Sequence, residues 1–386
     1  MLCMSSKQYK IVYCTPALYF AGGMERVLTL KANYFAEHFG YDITVILTEG
    51  IDKPLFYPLS DKVKVVYLNI GFEELWACSF IKKIYFYLKK QHLYKKLLKK
   101  ELMSIRPDIT VSTLRREINF INDIHDGSKK IGEIHINRAN FRNFNSKDEN
   151  FFKKQFAKIW MNDLIKKLQR LDRFVVLTEK DKEAWIELNN VCVIPNPLTF
   201  TTISKYSKLS ERRVIAVGRY CHEKGYDLLL RAWGIVQNST TDWRLEIFGE
   251  GDRTQYEIMI DSLNLDRHRC ILNGRSSNIQ DEFLNSSLLV CSSKFEGFGL
   301  VITEAMACGL PVVSFDCPWG PQAIISDGED GILVENGNVD KLAEALVQMI
   351  QHPEQCKTMA DKAIENVQRY KIDQIAEKWK TLFETL

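Results

Sequence analysis

The chain has 386 residues, enough for about two domains of ordinary size. Hydrophobic residues make up 46% and charged residues 26%, which is typical of a globular protein, and a net charge of +3 excludes a strong global field toward nucleic acid. No signal peptide and no apolar stretch of about 18 residues is recognised, so we expect a cytoplasmic protein. The ten scattered cysteines contain no Cys-x-x-Cys pair, which favours reduced thiols over a zinc site.

The first half of the chain alternates apolar, β-rich runs with longer segments, several of them with helical periodicity. Seven strands are predicted, at Lys10–Ala17, Asp42–Thr48, Val63–Leu68, Asp108–Thr113, Lys130–Ile136, Arg173–Leu177 and Val191–Ile194. The helical pattern is clearest in Met24–Phe39 and Glu149–Arg170. This alternation indicates an α/β domain with a doubly wound parallel sheet and helices on both faces.

Residues 79–106 form a basic segment in which aromatic and aliphatic side chains lie between lysines. Nine residues are basic and one, Glu101, is acidic. A basic amphipathic helix of this kind can lie on an anionic membrane surface. The alternative is a crossover helix between two strands with a solvated lysine face.

A break in the pattern divides the chain. Pro195-Asn196-Pro197 is followed by the polar stretch Thr199–Arg212, which we interpret as a linker. Six further strands are predicted, at Val214–Gly218, Arg244–Phe248, Cys270–Leu272, Leu288–Cys291, Pro311–Ser314 and Gly331–Val334, and three helical patterns follow from Val339. The predicted domains are 1–197 and 198–370, both Rossmann-like and facing across a cleft, with a C-terminal helix in 371–386 that packs back on the first domain.

Two glycine-containing turns open helices after predicted strands. Gly22-Gly23-Met24-Glu25 follows the first strand, and Gly218-Arg219-Tyr220-Cys221-His222-Glu223-Lys224-Gly225 follows the first strand of the second domain. Backbone N–H groups at a helix start bind phosphates or hydroxyl groups. Two fixed cations there, Arg219 and Lys224, suit a diphosphate and could stabilise a leaving nucleoside diphosphate without a metal. The alternatives are a flexible loop and two surface charges.

The most informative segment runs from Ser293 to Val313. It contains Glu296 in a glycine-rich loop and Glu304 on the helix that follows. A carboxylate accepts two hydrogen bonds from adjacent hydroxyls, as in a sugar or ribose diol. The backbone N–H groups near Gly299 and Leu300 suit phosphate. Two carboxylates also fit a glycosidase pair, although two Rossmann-like domains make hydrolysis the poorer interpretation. No Asp-x-Asp occurs, so no metal site and no cofactor is predicted.

The segment from Glu296 to Glu304 resembles the Glu-x7-Glu signature of glycosyltransferase family 4, whose members are retaining enzymes of the GT-B fold. The resemblance extends to Gly-Gly-x-Glu at residues 22–25 and Ile-Pro-Asn-Pro at residues 194–197. It implies an acceptor-binding first domain and a donor-binding second domain. Donor-binding positions implied by the matching motifs are Gly22, Gly23, Gly218, Arg219, Lys224, Gly249, Gly274, Arg275, Glu296, Gly297, Phe298, Gly299, Leu300, Val301 and Glu304.

The resemblance also implies individual roles. Glu296 contacts the donor sugar hydroxyls, Glu304 holds the ribose, and Glu25 lies near the acceptor. His135 matches the family histidine that faces the donor sugar, and its alternative is a structural residue at a strand end. The implied catalytic residues are His135, Glu296, Arg219 and Lys224.

The stretch Phe315–Ile325 resembles the Gly-Pro-x-Glu-Ile-Ile segment of bacterial capsule and exopolysaccharide transferases of the amylovoran type. Ala323 occupies the position of the glutamate, which weakens the subgroup assignment. The expected activity is transfer of a hexose or N-acetylhexosamine from a UDP-sugar to a polyprenyl-diphosphate-linked or surface glycan. The alternatives are a sugar-nucleotide epimerase, a phosphorylase, or a non-catalytic binding protein.

Overall fold

The computed structural model describes residues 7–77, 79–138, 151–200 and 203–386. The chain divides into two compact units, the first formed by Met1–Pro195 with Ile372–Leu386 and the second by Asn196–Lys371. Each unit is an α/β domain with a single parallel sheet, of seven strands in the first and six in the second. The predicted fold class of two Rossmann-like domains is confirmed.

All strand pairs in both sheets are parallel. Such strands are covered on both faces and therefore consist of continuous apolar runs. The strands are β1 Lys10–Thr15, β2 Asp42–Leu47, β3 Lys64–Tyr67, β4 Ile109–Ser112, β5 Lys129–Glu133, β6 Arg173–Val176, β7 Val191–Val193, β8 Arg213–Val217, β9 Arg244–Phe248, β10 Cys270–Asn273, β11 Leu288–Cys291, β12 Val312–Phe315 and β13 Gly331–Val334. The predicted strand Lys130–Ile136 was wrong at its end, because β5 stops at Glu133 and His135 lies beyond it.

The helices lie between the strands and at the C-terminal end. They are α1 Gly23–His38, α2 Phe80–Ile105, α3 Phe151–Gln169, α4 Glu179–Ala184, α5 Tyr226–Ser239, α6 Thr254–Ser262, α7 Ile279–Leu284, α8 Leu300–Ala307, α9 Pro321–Ile324, α10 Val339–Gln351, α11 Pro353–Asn366 and α12 Ile372–Glu384. The start of the predicted segment Glu149–Arg170 falls outside the described residues. Within the described ranges, no helix is both long enough and apolar enough to span a bilayer.

Each unit has its own hydrophobic core. In the first, Val12 and Ile46 of the sheet pack in one cluster with Leu98 of α2. In the second, Ile247 of the sheet packs with Trp233 of α5. Helix α12 belongs to the first unit, where the ring of Phe383 lies 5.8 Å from that of Phe35 in α1.

The strand order determines where loops meet. The sheets have the orders β3-β2-β1-β4-β5-β6-β7 and β10-β9-β8-β11-β12-β13. The direction of winding therefore reverses between β1 and β4, and again between β8 and β11. Ligands of such sheets bind outside the carboxyl ends of the strands at these reversal points.

Candidate active site

Four of the predicted segments lie at one edge of the second sheet. The loops that contain Gly218, Gly249, Gly274 and Glu296 follow β8, β9, β10 and β11, respectively. Because parallel strands end at the same edge, these loops are neighbours at the carboxyl side of the sheet. The loops after β8 and β11 flank the point at which the winding reverses.

An ion pair joins the two loops that flank this point. The Lys224 ammonium donates to Glu296 Oε1 at 2.6 Å, and the Ser293 hydroxyl donates to the same oxygen at 2.7 Å. The side chains of Lys224 and Glu296 are 21% and 13% exposed, so the pair is mostly shielded but still accessible from one side. Burial acts to lower the pKa of Lys224, but the Glu296 carboxylate outweighs it and raises that pKa above its usual value. The ammonium is therefore charged at neutral pH.

Backbone contacts hold the same two loops together. The Lys294 N–H donates to the Glu223 carbonyl at 2.8 Å, and the Ser292 hydroxyl donates to the Lys224 carbonyl at 2.9 Å. Gly225 has φ +62°, and a Cβ there would lie 2.1 Å from the Ser292 carbonyl oxygen. A larger residue at 225 would thus separate the loops that carry Lys224 and Glu296.

Glu304, the second carboxylate of the motif, lies on α8 and is 6% exposed. It accepts a hydrogen bond from the hydroxyl of Thr199. Thr199 is itself buried in the second unit, although the sequence assigns it to a polar linker. Sequence reasoning missed both Thr199 and Ser293 as partners of the two glutamates. Ser293 lies three residues before Glu296, which was a usable signal, whereas Thr199 lies 105 residues from Glu304.

The N-terminus of α8 provides backbone donors beside this pair of carboxylates. Gly299 is the N-cap residue and is followed by Leu300 and Val301 in the first turn. The first N–H groups of a helix have no acceptor within that helix, and its dipole favours an anion there. Gly297 precedes the cap, and Phe298 is buried with its ring 5.4 Å from that of Tyr370.

The remaining candidates for donor binding are more exposed to solvent than Lys224 and the two glutamates. Arg219 is exposed directly after Gly218, and it contributes to holding the pKa of Glu223 below its usual range, together with hydrogen bonds to that carboxylate. A Cβ on Gly249 would lie 1.9 Å from the Gly218 carbonyl oxygen, so this position requires glycine. Gly274 is exposed, and the next residue, Arg275, donates to Glu250 at 3.1 Å.

In the first unit, the Gly-Gly turn lies after β1, beside the reversal point of that sheet. Gly22 is the N-cap of α1 and Gly23 is its first residue. A Cβ on Gly22 would lie 2.1 Å from Glu25 Oε2, which shows that the carboxylate folds back over the cap. A carboxylate at this position stabilises the helix N-terminus. Glu25 thus has a local structural role in addition to the predicted contact with an acceptor.

His135 belongs to a buried charged cluster in the first unit. Its Nε2 lies 3.3 Å from Glu133 Oε1, and the same oxygen accepts a hydrogen bond from Lys31 of α1. Burial acts to raise the pKa of Glu133, but Lys31 and His135 outweigh it and lower that pKa to about 2. Sequence reasoning missed Lys31 and Glu133. A lysine on the apolar face of α1 and a glutamate two residues before a histidine on one strand face were the available signals.

Among the described residues, no group of three or more His, Cys, Asp or Glu side chains is arranged to hold a metal ion. Beside the β11 loop, a Cβ on Gly320 would lie 2.7 Å from Glu296 Cβ. The segment of Gln322 and Ala323 thus begins against the candidate site. Gln322 donates to Asp316 at 2.9 Å, and the Ala323 carbonyl accepts from the Tyr370 hydroxyl at 2.7 Å.

Comparisons with known proteins find similarity to glycosyltransferases. Residues 201–366 match the family model of glycosyl transferases group 1. A protein of Haemophilus influenzae named as an uncharacterised glycosyltransferase is 28% identical over 93% of this chain and 96% of its own length. The poly(ribitol-phosphate) alpha-N-acetylglucosaminyltransferase of Staphylococcus aureus is 30% identical over 69% of this chain, which spans 53% of that relative.

Among solved structures, S. aureus TarM in complex with fondaparinux, alpha-GlcNAc-glycerol and UDP is similar in fold, with a TM-score of 0.77 at 17% identity. The match covers 97% of this chain and 100% of the TarM chain. The family match contains Arg219, Lys224, Glu296 and Glu304 and therefore covers the ion pair and both carboxylates. Residues 201–366, less than half of the chain, thus match the glycosyl transferases group 1 model, and they lie within the second of the two Rossmann-like domains.

Proposed function

We propose that this protein is a glycosyltransferase that moves a hexose or N-acetylhexosamine from a UDP-sugar to a glycan or polyprenyl-diphosphate-linked acceptor, with retention of anomeric configuration and without a metal ion or other cofactor. The observation that carries the proposal is the Lys224–Glu296 ion pair at the point where the second sheet reverses its winding. Polysaccharide synthesis in the cytoplasm, such as that of a capsule or lipopolysaccharide, is the setting that we propose.

The two charges of the pair suit the two halves of such a donor. A diphosphate near Lys224 gains a hydrogen-bonded cation, and the N–H groups at the start of α8 offer further donors. Glu296 then accepts hydrogen bonds from adjacent sugar hydroxyls, and Glu304 accepts them from the ribose. As the glycosidic bond breaks, negative charge develops on the leaving diphosphate, and Lys224 and Arg219 stabilise it.

The relatives support the choice of donor and acceptor. TarM has UDP in its complex, which favours a UDP-sugar over other nucleotide sugars. The S. aureus relative is named for transfer to poly(ribitol-phosphate), and an Erwinia amylovora relative with 29% identity over 55% of this chain is named as an amylovoran biosynthesis glycosyltransferase. Both names agree with the choice of a glycan or polymer as the acceptor here.

The proposal is tested by nucleotide release from a panel of UDP- and GDP-sugars, with a membrane lipid extract as acceptor, in the presence and absence of EDTA. We expect release of UDP from one donor, dependent on the acceptor and insensitive to EDTA. Release without an acceptor would instead support a hydrolase, and conversion of the donor sugar without release of UDP would support an epimerase. Loss of activity in EDTA would contradict metal independence, and failure to bind any nucleotide would overturn the donor site.

We further propose that α2 makes a peripheral contact with the inner face of the cytoplasmic membrane. Tyr94 and Leu98 in its second half are buried in the core, whereas Tyr85 and Leu88 in its first half are 64% and 62% exposed. Lys82 and other exposed lysines lie among these apolar side chains. Exposed apolar groups interleaved with cations match the interface of an anionic bilayer.

Sedimentation with lipid vesicles distinguishes a membrane-binding α2 from a crossover helix that is only solvated. Binding to vesicles with phosphatidylglycerol, and not to phosphatidylcholine vesicles, is expected for the native chain. The variant Tyr85→Ser/Leu88→Ser should bind several-fold more weakly. The control is Ile258→Ser on α6, because Ile258 is 62% exposed, as Leu88 is. Equal binding by all three proteins would contradict the proposal.

A further inference from the structure

Three charged or ionisable side chains meet inside the first unit. The Lys31 and Glu133 side chains are 1% and 3% exposed, and they form an ion pair. His135, 10% exposed, places Nε2 3.3 Å from the carboxylate oxygen that Lys31 also contacts. Charged groups are rarely buried to this degree unless they are paired, and keeping them there needs a compensating interaction.

The C-terminal helix completes the enclosure of the lysine. The Lys31 ammonium lies 4.3 Å from the centroid of the Trp379 ring of α12, and Trp379 is 1% exposed. The ring of Tyr13 on β1 is 5.9 Å from the same ammonium. The ammonium is therefore held between a carboxylate and aromatic faces. Burial lowers the pKa of Lys31, and the Glu133 carboxylate and the aromatic faces oppose that shift by favouring the charged form. The charge of Lys31 in turn keeps Glu133 ionised.

An ionised Glu133 determines which ring nitrogen of His135 carries the proton. A carboxylate only accepts hydrogen bonds, so Nε2 of the neutral imidazole must be the N–H that donates. Nδ1 is then left with a lone pair. It is buried and has no hydrogen-bond partner within the described part of the chain. It is one of ten such buried side-chain atoms in the described residues, and the only histidine nitrogen among them.

We propose that Glu133 is a positioning residue for His135: with Lys31 as its counter-ion, it holds the imidazole as the Nε2–H tautomer, so that Nδ1 is the acceptor that His135 offers to a sugar hydroxyl. The inference rests on the proposed function, since it assigns His135 to sugar recognition. Nδ1 is covered in the unliganded protein, so a small shift of the ring or its neighbours accompanies sugar binding.

The tautomer is read directly from long-range ¹H–¹⁵N NMR spectra of the full chain. The chain has seven histidines, and a His135→Gln variant identifies the signal of interest. We expect the proton on Nε2 in the native protein. A native signal from the Nδ1–H tautomer would overturn the proposal. This reading requires no activity, so it remains valid if the protein fails to transfer sugar.

Two paired variants isolate the hydrogen bond from the buried charge. Lys31→Met/Glu133→Gln removes both charges and keeps a side-chain acceptor, whereas Lys31→Met/Glu133→Leu removes the acceptor as well. The first should keep mainly the Nε2–H form, and the second should give a mixture of tautomers. The kcat of the Lys31→Met/Glu133→Leu variant should be roughly tenfold to a hundredfold lower than that of the Lys31→Met/Glu133→Gln variant. Losses of this size are seen when residues that orient metal-bound histidines are removed. Equal tautomers in the two variants would contradict the role of Glu133.

The control is a second buried ion pair that also involves a residue of β5. Lys130 and Asp126 lie 2.5 Å apart with side chains 8% and 0% exposed. Asp126→Asn should lower stability and leave both the His135 spectrum and kcat unchanged. A tautomer change in this variant would show general loosening and would overturn the specific role. Addition of a UDP-sugar, but not of UDP, should shift the Nδ1 resonance, and no shift with bound donor would exclude the contact with the sugar.

Discussion

Lys224 and Glu296 are 72 residues apart in the chain, and their side chains meet at 2.6 Å in the second domain. The pair joins the loop after β8 to the loop after β11, so the strand order of the sheet creates it. In the unliganded protein each charge is the partner of the other. Under the proposed function, a diphosphate bound at Lys224 would bring its own negative charge and would compete with Glu296 for the ammonium.

Lys224→Met should therefore reduce kcat strongly, by about 10²- to 10³-fold, because a cation beside a leaving diphosphate stabilises charge that develops in the transition state. Steady-state kinetics with the identified donor measures the effect. The control is Glu282→Gln, which breaks an ion pair with Arg213 that is also 2.6 Å long. Arg213 is the first residue of β8 and lies at the opposite end of the strand. Equal losses in the two variants would show that general destabilisation is the cause.

Thr199→Val should destabilise the second domain and weaken nucleotide binding. The hydroxyl of Thr199 donates to Glu304, and both residues are less than a tenth exposed. Loss of a hydrogen bond to a buried carboxylate costs about 1.5–3 kcal/mol. Chemical denaturation and UDP titration measure the two effects. Thr199→Ser keeps the donor and should retain most of the affinity; if it behaves like the valine variant, the hydroxyl is not the relevant group.

Gly225→Ala should lower stability by about 1–3 kcal/mol and also reduce activity. The residue has φ +62°, and the added Cβ would lie 2.1 Å from the Ser292 carbonyl oxygen. Gly234→Ala in α5 is the matched control, because its Cβ would meet Leu265 at an ordinary 3.4 Å. That substitution should stabilise the helix by about 0.5–1 kcal/mol. Thermal unfolding of both variants checks the opposite signs.

Asp181→Asn should stabilise the protein at neutral pH. Burial raises the pKa of Asp181 from 3.8 to about 6, although the hydrogen bond from the Arg138 backbone N–H opposes the change. A carboxyl group with a raised pKa in the folded state disfavours folding as pH rises through the window from 3.8 to about 6. The gain should be about 1–3 kcal/mol at pH 7 and should vanish below about pH 4. Denaturation midpoints across this range test it, and a gain that does not depend on pH would contradict the assignment.

The sequence was sufficient to predict the fold class. Continuous apolar runs mark strands covered on both faces, and all of the observed strands overlap the predicted ones. Strand ends were less accurate, as at β5, where His135 lies beyond the strand. The run continues through Ile134, so hydrophobicity alone does not show where pairing with β6 stops.

The candidate residues of the second domain were also readable from local patterns. Gly218, Lys224, Glu296 and Glu304 follow strands or lie on the next helix, and their types suit phosphates and hydroxyl groups. The hydrogen-bond partners of these residues could not be predicted from the sequence. Thr199 appeared to belong to a polar linker, because a hydroxyl 105 residues from Glu304 gives no local sign that it will meet that carboxylate.

In the buried cluster of Lys31, Glu133 and His135 in the first domain, the sequence likewise predicts part of the site and the tertiary structure supplies the rest. The sequence by itself determined that His135 lies near a strand end, whereas Lys31 on the apolar face of α1 was not recognised. Only the tertiary structure decided that Lys31, Glu133 and Trp379 enclose one ammonium group, because helix α12 brings Trp379 from the far end of the chain. The periodicity of a helix or strand indicates which of its faces is buried. The partner of a buried charge depends on contacts between segments that are distant in the chain, and such contacts cannot be predicted from a local sequence pattern.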